Sequence, residues 1–215
     1  MQQSHYVFDL WMRREHPGKP YCHYADDGLV HCKSEWEAYY MLEKLRKRFS
    51  ECGLQIHLEK TKIIYCKDEK RKGKYPNTSF DFLGYTFRGR IVRNTKTNKI
   101  FVSFTPAVSK ASLKSMRAKT KCLNWRNRTD LSLNEIARRY NPVLRGWLTY
   151  YGRYCCSAMD PMWRHFNKTL VAWAMHKYKH YGGHKTRAVK FMERIAAKEP
   201  YLFVHWKSGM RGAFA

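Results

Sequence analysis

The four residues Tyr24-Ala25-Asp26-Asp27 constrain this chain more than any other stretch of it. Two adjacent carboxylates stand behind an aromatic residue, flanked by Pro20-Tyr21-Cys22-His23 before and Gly28-Leu29-Val30 after. That pattern suits a tight turn between two strands. A turn presenting two acids at one point can hold divalent cations for phosphoryl transfer. Asp also favours turns for purely local reasons, so a plain surface turn is the competing reading of these residues alone. Two metals need more carboxylate than one pair supplies, and 23 residues precede the motif.

Charge says what kind of partner to expect. Among 215 residues Lys and Arg number 42 and Asp and Glu 17, a net charge of +25. That excess is too large for solubility alone and points to a polyanion. It is uneven: residues 1–105 carry 20 basic and 12 acidic side chains, and residues 106–215 carry 22 and 5. The partner therefore belongs mostly against the second half. With 15 Tyr, 11 Phe and 7 Trp, the chain is too aromatic for a disordered basic tail. No run of about 18 apolar residues occurs and no signal-peptide pattern opens the chain, so no membrane partner is expected. The cysteines (Cys22, Cys32, Cys52, Cys66, Cys122, Cys155 and Cys156) form no C-x-x-C pair. Zinc is not expected; reduced, mostly buried thiols in a cytoplasmic protein are.

Local signals divide the chain. Residues 5–12 read as the end of a buried apolar helix, followed by a break at Pro17, Gly18 and Pro20. Ser34-Glu35-Trp36-Glu37 is a capping box, opening a helix to Cys52 with Tyr39, Leu42, Leu45 and Phe49 on one face and Gly53 as a left-handed stop. Residues 54–58 and 63–66 read as strands around Glu59-Lys60-Thr61-Lys62, and 67–78 as a solvated loop. Residues 80–87, 91–93 and 100–104 suggest a meander with turns at Arg88-Gly89-Arg90 and 94–99.

Thr105-Pro106 predicts an N-cap followed by a first-turn proline, and hence a helix to about Leu123. A second capping box, Ser132-Leu133-Asn134-Glu135, and then Asp160-Pro161 open two more helices. Trp147, Tyr151, Trp163, Phe166 and Trp173 recur at helical spacing as core. Residues 185–198 form a short basic helix, and 201–206 an extended aromatic end. His176, His180 and His184 fall four apart, but no acid lies near and Gly182-Gly183 breaks the helix, so a basic patch is expected rather than a metal site. The fold class is α+β: a partial sheet-and-helix domain over 1–105, a three-helix bundle over 106–180 and a small basic module over 181–215.

Taken in order, these motifs resemble the later part of a group II intron-encoded reverse transcriptase/maturase. Tyr24-Ala25-Asp26-Asp27 is similar to the polymerase motif, and Gly53-Leu54 through Lys62 to the next palm motif. Phe82-Leu83-Gly84-Tyr85 is similar to the primer-grip hairpin. Asn134-Glu135-Ile136 through Asn141-Pro142-Val143-Leu144-Arg145-Gly146-Trp147 and Tyr150-Tyr151 resemble the maturase, or thumb, domain. The resemblance implies that Asp26 and Asp27 are catalytic ligands of Mg2+ and that Lys60 faces the nucleotide phosphates. Phe82, Leu83, Gly84 and Tyr85 would grip the primer. The basic positions Arg126, Arg128, Arg138, Arg139, Arg145, Lys177, Lys179, Lys185 and Arg187 are candidates for RNA contact. The implied partners are group II intron RNA and a target DNA or primer.

The family also uses an upstream Asp that no residue before Tyr24 matches, Asp9 being at the end of a helix. Nucleic-acid binding is therefore expected without polymerisation by this chain alone, unless a separate polypeptide carries the fingers. Two alternatives stand beside this: a stand-alone RNA-binding splicing factor, and a non-functional remnant of a mobile element.

Overall fold

A chain with so few acids folds by gathering its apolar side chains where the basic ones can point away, and it does so in two places. The computed structural model describes residues 2–71, 73–211 and 214. Its two compact units are Met1–Phe82 and Leu83–Ala215, and the whole is α+β.

In the first unit, β1 (Tyr21–Tyr24) and β2 (Asp27–Val30) pair antiparallel, with Tyr24 opposite Asp27 and Tyr21 opposite Val30. Alternation sends Tyr21 and His23, with their partners Val30 and Gly28, to one face. α1 (Gln2–Glu15) covers it through buried Phe8 and Met12; the Phe8 ring meets Tyr21 at 5.5 Å and His23 at 5.1 Å. α2 (Glu35–Glu51) completes this small core with Met41, Leu45 and Phe49.

Ser34 caps α2 as expected, its Oγ accepting from Glu37 N at 3.2 Å. The return arm of the capping box differs. The Glu37 carboxylate accepts from Lys33 N and Lys19 Nζ, because the Lys19 ammonium draws it past Ser34. At the other end Gly53 has a φ of +70°; Gly53 N donates to Ser50 O at 3.0 Å and Leu54 N to Phe49 O at 2.8 Å, closing the last turn. Tyr39 departs from the expected face: with Trp36 and Tyr40 it is exposed, and the Trp36 and Tyr40 rings stack at 5.7 Å.

Residues 54–66 are not strands. Thr61 N and Lys60 N both donate to His57 O, forming a turn, and the stretch beyond is irregular, with Tyr65 N donating to Asn77 O. A strand needs a ladder for its backbone groups, and these residues find single bonds instead. β3 (Ser79–Phe82) ends the unit.

The second unit opens with the hairpin of β4 (Tyr85–Arg93) and β5 (Ile100–Val108). Arg88-Gly89-Arg90 is not a turn; it runs through β4, with Gly89 opposite Phe104. The expected turn over 94–99 is present, Asn94 Oδ1 accepting from Lys96 N and Thr97 N. Thr105 and Pro106 likewise belong to β5 rather than to a helix, Pro106 standing opposite Phe87. β5 is an edge strand, where a missing N–H is tolerated, so the proline does not end the ladder. The helix α3 (Lys110–Cys122) begins only after Ser109, whose Oγ accepts from Ser112 N at 3.0 Å.

α4 (Leu133–Tyr151) carries the complete second capping box: Glu135 N donates to Ser132 Oγ at 3.3 Å, and Ser132 N to the Glu135 carboxylate at 2.7 Å. α5 (Asp160–Lys177) supplies Trp163, Phe166, Leu170 and Trp173, all buried. Trp147 and Tyr151 of α4 are half-buried against the same core. α6 (Lys185–Lys198) packs on α5, and the short α7 (Val204–Lys207) on α4. The expected extended end is thus a turn and a helix, and Phe203, His205, Trp206 and Phe214 are fully buried. The aromatic run Tyr201 to Trp206 suggests an extended segment, but hydrogen bonds to Asn141 on α4 take the chain: Asn141 Nδ2 donates to Leu202 O at 2.9 Å and Val204 N to Asn141 Oδ1 at 3.1 Å.

The seven cysteines are free, and against the expectation of buried thiols none is fully buried; Cys22, Cys122 and Cys156 are exposed, lying on an open strand face, at a helix end and at the start of a short 3-10 helix. Among the described residues no helix is long and apolar enough to cross a membrane.

One buried polar cluster locks the C-terminal segment. Asn167 Oδ1 accepts from Trp206 Nε1 at 3.0 Å and lies 2.8 Å from His205 Nε2. An amide oxygen cannot donate, so His205 carries its proton on Nε2. Burial pushes the His205 pKa down to about 3. The unfolded ring binds a proton below about pH 6.5, which the folded ring refuses until about 3. This contribution is therefore complete above pH 6.5 and is lost as pH falls toward 3, by up to ~1.4 kcal/mol per unit. His205→Gln, which keeps a donor to Asn167, should flatten the decline between pH 6.5 and 4.5 in urea-denaturation midpoints. In the same assay at neutral pH, Ser132→Ala should lower stability by about 1 kcal/mol.

Candidate nucleic-acid interface

The acid pair sits where the hairpin requires it. Ala25 and Asp26 form the two-residue loop, Ala25 at a φ of 51°, and Asp27 begins β2. Positive φ is costly for a residue with a Cβ. Gly28 faces α1, where a Cβ would meet Phe8 Cζ at 3.7 Å. Asp27, one residue earlier, therefore lies with Tyr24 on the opposite, open face. Asp26, Asp27 and Tyr24 are all exposed. Asp9 is not beside them in role: its Oδ1 lies 3.3 Å from His23 Nδ1, on the α1-covered face. Among the described residues no group of three or more His, Cys, Asp or Glu is placed to hold a metal ion. Two hard carboxylate oxygen donors on an open turn fit Mg2+ in kind, as part of a ligand set.

Lys60 is exposed in the turn closed by His57. Phe82, buried, ends β3, and Leu83 (φ 50°) and Gly84 (φ 78°) form a tight turn of the type that matches strand twist. The second unit clamps this turn. Gly84 O accepts from Ser109 N at 2.9 Å and from Ser112 Oγ at 3.0 Å. Tyr150 Oη donates to Leu83 O at 2.9 Å, and Tyr85 Oη donates to Tyr150 O. The Tyr85 ring lies among those of Tyr150, Tyr151 and Tyr154 at 5.2, 5.6 and 5.6 Å. Burial, then the neighbouring tyrosines, raise the Tyr85 pKa.

The basic candidates separate into two groups. Arg128 is committed to Asp130 through bonds of 2.9 and 2.7 Å, which hold the Asp130 carboxyl at about 2. Lys177 Nζ donates to Thr129 O at 2.9 Å and Leu131 O at 2.7 Å, over the Trp173 ring. Both side chains fix the loop between α3 and α4. Arg126, Arg138, Arg139, Arg145, Lys179, Lys185 and Arg187 are exposed. The three histidines at fourfold spacing do not share a helix, since α5 ends at Lys177.

An open groove of ≈ 720 Å³ runs beside the clamped turn, lined by Tyr85, Arg145, Thr149, Tyr150, Arg153 and Tyr154 among others. The sequence points to Arg145 as a candidate RNA contact and to Tyr85 as part of a motif, but Tyr154 was missed. The signal was available in Tyr150-Tyr151-Gly152-Arg153-Tyr154, where aromatic and basic residues interleave.

An exposed two-carboxylate hairpin and a basic helical body on one chain are features found together in nucleic-acid polymerases. The family model for reverse transcriptase (RNA-dependent DNA polymerase) matches residues 2–87, and that for the group II intron maturase-specific domain matches residues 113–191. The chain belongs to the group II intron reverse transcriptase/maturases. No curated protein matches it.

The clamp gives a direct test of the turn. A Cβ on Gly84 would meet Ser112 Oγ at 2.9 Å and Tyr151 Oη at 3.0 Å, at a φ of +78°. Gly84→Ala should cost at least ~1 kcal/mol of stability in urea denaturation, whereas Gly53→Ala carries the φ strain without the contacts and should cost less.

Proposed function

We propose that the second unit binds group II intron RNA and that Asp26 and Asp27 contribute Mg2+ ligands for RNA-templated DNA synthesis. The observation that carries the RNA reading is how the acids of residues 83–215 are used. There are five: Asp130, Glu135, Asp160, Glu193 and Glu199. Asp130 is held by Arg128, Glu135 by the Ser132 cap, and Asp160 sits in the first turn of α5. The exposed arginines and lysines thus face solvent with almost no competing carboxylate. A structured RNA, held through phosphates and shape, suits such a surface.

Mg2+, when bound, favours the ionised 3′-hydroxyl and neutralises charge on the leaving pyrophosphate. Asp26 and Asp27 would present oxygens to it from the open hairpin face, and Lys60 would offer a point charge to the nucleotide phosphates. A second reading, a splicing factor whose palm serves as scaffold, is favoured by the absence of a third acid beside the pair among the described residues.

Two measurements test these readings. Anisotropy titrations with group II intron RNA should show affinity falling steeply with salt, each phosphate contact contributing about −0.7 to −0.9 to the log–log slope. Arg138→Ala with Arg139→Ala should make that slope shallower by about 1 to 2. Affinity that is flat from low to high salt removes the RNA reading. In Mg2+-dependent primer extension, run with and without a polypeptide carrying the fingers, Asp26→Asn with Asp27→Asn should abolish extension and leave RNA affinity within about twofold. Splicing that persists in this variant, with no extension by the unmutated chain, selects the scaffold reading.

A further inference from the structure

We propose that the groove beside the Leu83-Gly84 turn binds an unpaired stretch of RNA, stacking a nucleobase on Tyr154 and seating the flanking phosphates on Arg145 and Arg153. This rests on the RNA reading above and names the part of the surface that takes single strands.

The groove's construction points to that ligand. One wall is a single stripe of α4, with Arg145, Thr149 and Tyr150 separated by Pro142 and Gly146. Gly146 keeps the stripe low, since a Cβ there would meet nothing within 4 Å. The other wall is the clamped turn with Tyr85. Tyr154 is 60 % exposed and Tyr150 47 %, unusual for rings that border a large aromatic core. Tyr154 is nevertheless not loose: its ring and that of Tyr85 meet edge-to-face at 5.6 Å, and the Arg153 guanidinium lies over the Tyr154 ring, 5.8 Å from its centroid. The groove therefore offers a positioned, largely exposed ring with the mobile-ended Arg153 side chain over it, a second cation, Arg145, in the same lining, and no acid there.

A ring face can be used only by a base that is out of its helix, because paired bases present edges and backbone instead. A cation beside the ring suits the phosphate attached to that base. The hydroxyls of Thr149 and Tyr154 give a ribose 2′-hydroxyl hydrogen-bonding partners that deoxyribose cannot use, so the groove selects RNA. The aromatic platform, the arginine rim and the hydroxyls lie on one continuous surface within the second unit.

Anisotropy with three labelled probes tests the assignment: a short oligouridylate, the matching oligodeoxyuridylate, and a blunt RNA duplex. The oligouridylate should bind more tightly than its deoxy counterpart, and Thr149→Val should narrow that gap. Tyr154→Ala should weaken oligouridylate binding roughly tenfold or more, while Tyr154→Phe, which keeps the ring, restores most of it. Duplex affinity should stay within about twofold in both variants, since a paired strand cannot use the ring. Arg145→Ala with Arg153→Ala should reduce the salt slope for oligouridylate by about 1 to 2. An unchanged urea midpoint in Tyr154→Ala shows that its effect is not unfolding; if the midpoint falls, Tyr154→Phe against a second exposed-ring control, Tyr201→Ala, decides. The assignment is overturned if Tyr154→Ala binds oligouridylate like the unmutated chain, if it weakens duplex equally, or if DNA binds as well as RNA. Failure of every probe, duplex included, overturns the RNA reading itself rather than the groove alone.

Discussion

Mutual repulsion among basic side chains is the constraint that the second unit is built to withstand. Compacting such a surface raises its electrostatic energy, so the interior must compensate with unusually large apolar groups. Trp125, Trp163, Trp173, Trp206, Phe166, Phe203 and Phe214 are all essentially inaccessible. Each indole or phenyl buries more area than an aliphatic side chain and packs edge-to-face with its neighbours, as Trp125 does with Phe166 at 4.2 Å. The polar atoms that come with these rings are mostly matched: Trp125 Nε1 donates to Thr120 O, Trp173 Nε1 to Arg128 O, and Trp206 Nε1 to Asn167. A heavily aromatic core is thus what permits a heavily basic exterior.

Features encoded by a few neighbouring residues were legible in the sequence. The caps at Ser34 and Ser132 depend on side chains bonding to backbone three positions away, and the helix opening at Asp160-Pro161, the limits of the helix from Lys185 to Lys198 and the Asp-Asp turn depend on the backbone preferences of adjacent residues. Features that depend on a distant partner were not. Residues 54–66 have strand composition but no ladder to join. Thr105-Pro106 carries a sound helix-start signal that the pairing of Phe87 with Pro106 overrides, and the helix waits for Ser109. Tyr201 to Trp206 is an apolar, aromatic run that suggests an extended end until Asn141, about sixty residues away in sequence, engages its backbone.

The site follows the same division. Motif residues such as Asp26, Asp27 and Leu83-Gly84 stand out in the sequence because the turns that carry them are local. Sorting the basic residues needed the structure, because Arg128 and Lys177 are indistinguishable by composition from Arg138 and Lys179. Only their bonds to Asp130 and to the carbonyls of Thr129 and Leu131 show that these two brace a loop. Tyr154 was missed because an aromatic residue near a helix end is most often core.

The burial of Phe203, Trp206 and Phe214 bears on when this protein can mature on the ribosome. α4 and α5 are synthesised well before these residues, yet their facing surfaces stay open until the segment beyond Leu202 arrives to cover them. Until then a nascent chain shows hydrophobic surface and strong positive charge together, in the presence of abundant cellular RNA. Folding of the second unit is therefore coupled to synthesis of the segment from Phe203 to Phe214. A product truncated before Phe203 would leave that apolar surface uncovered, and the exposed surface is itself a signal for chaperone capture or proteolysis.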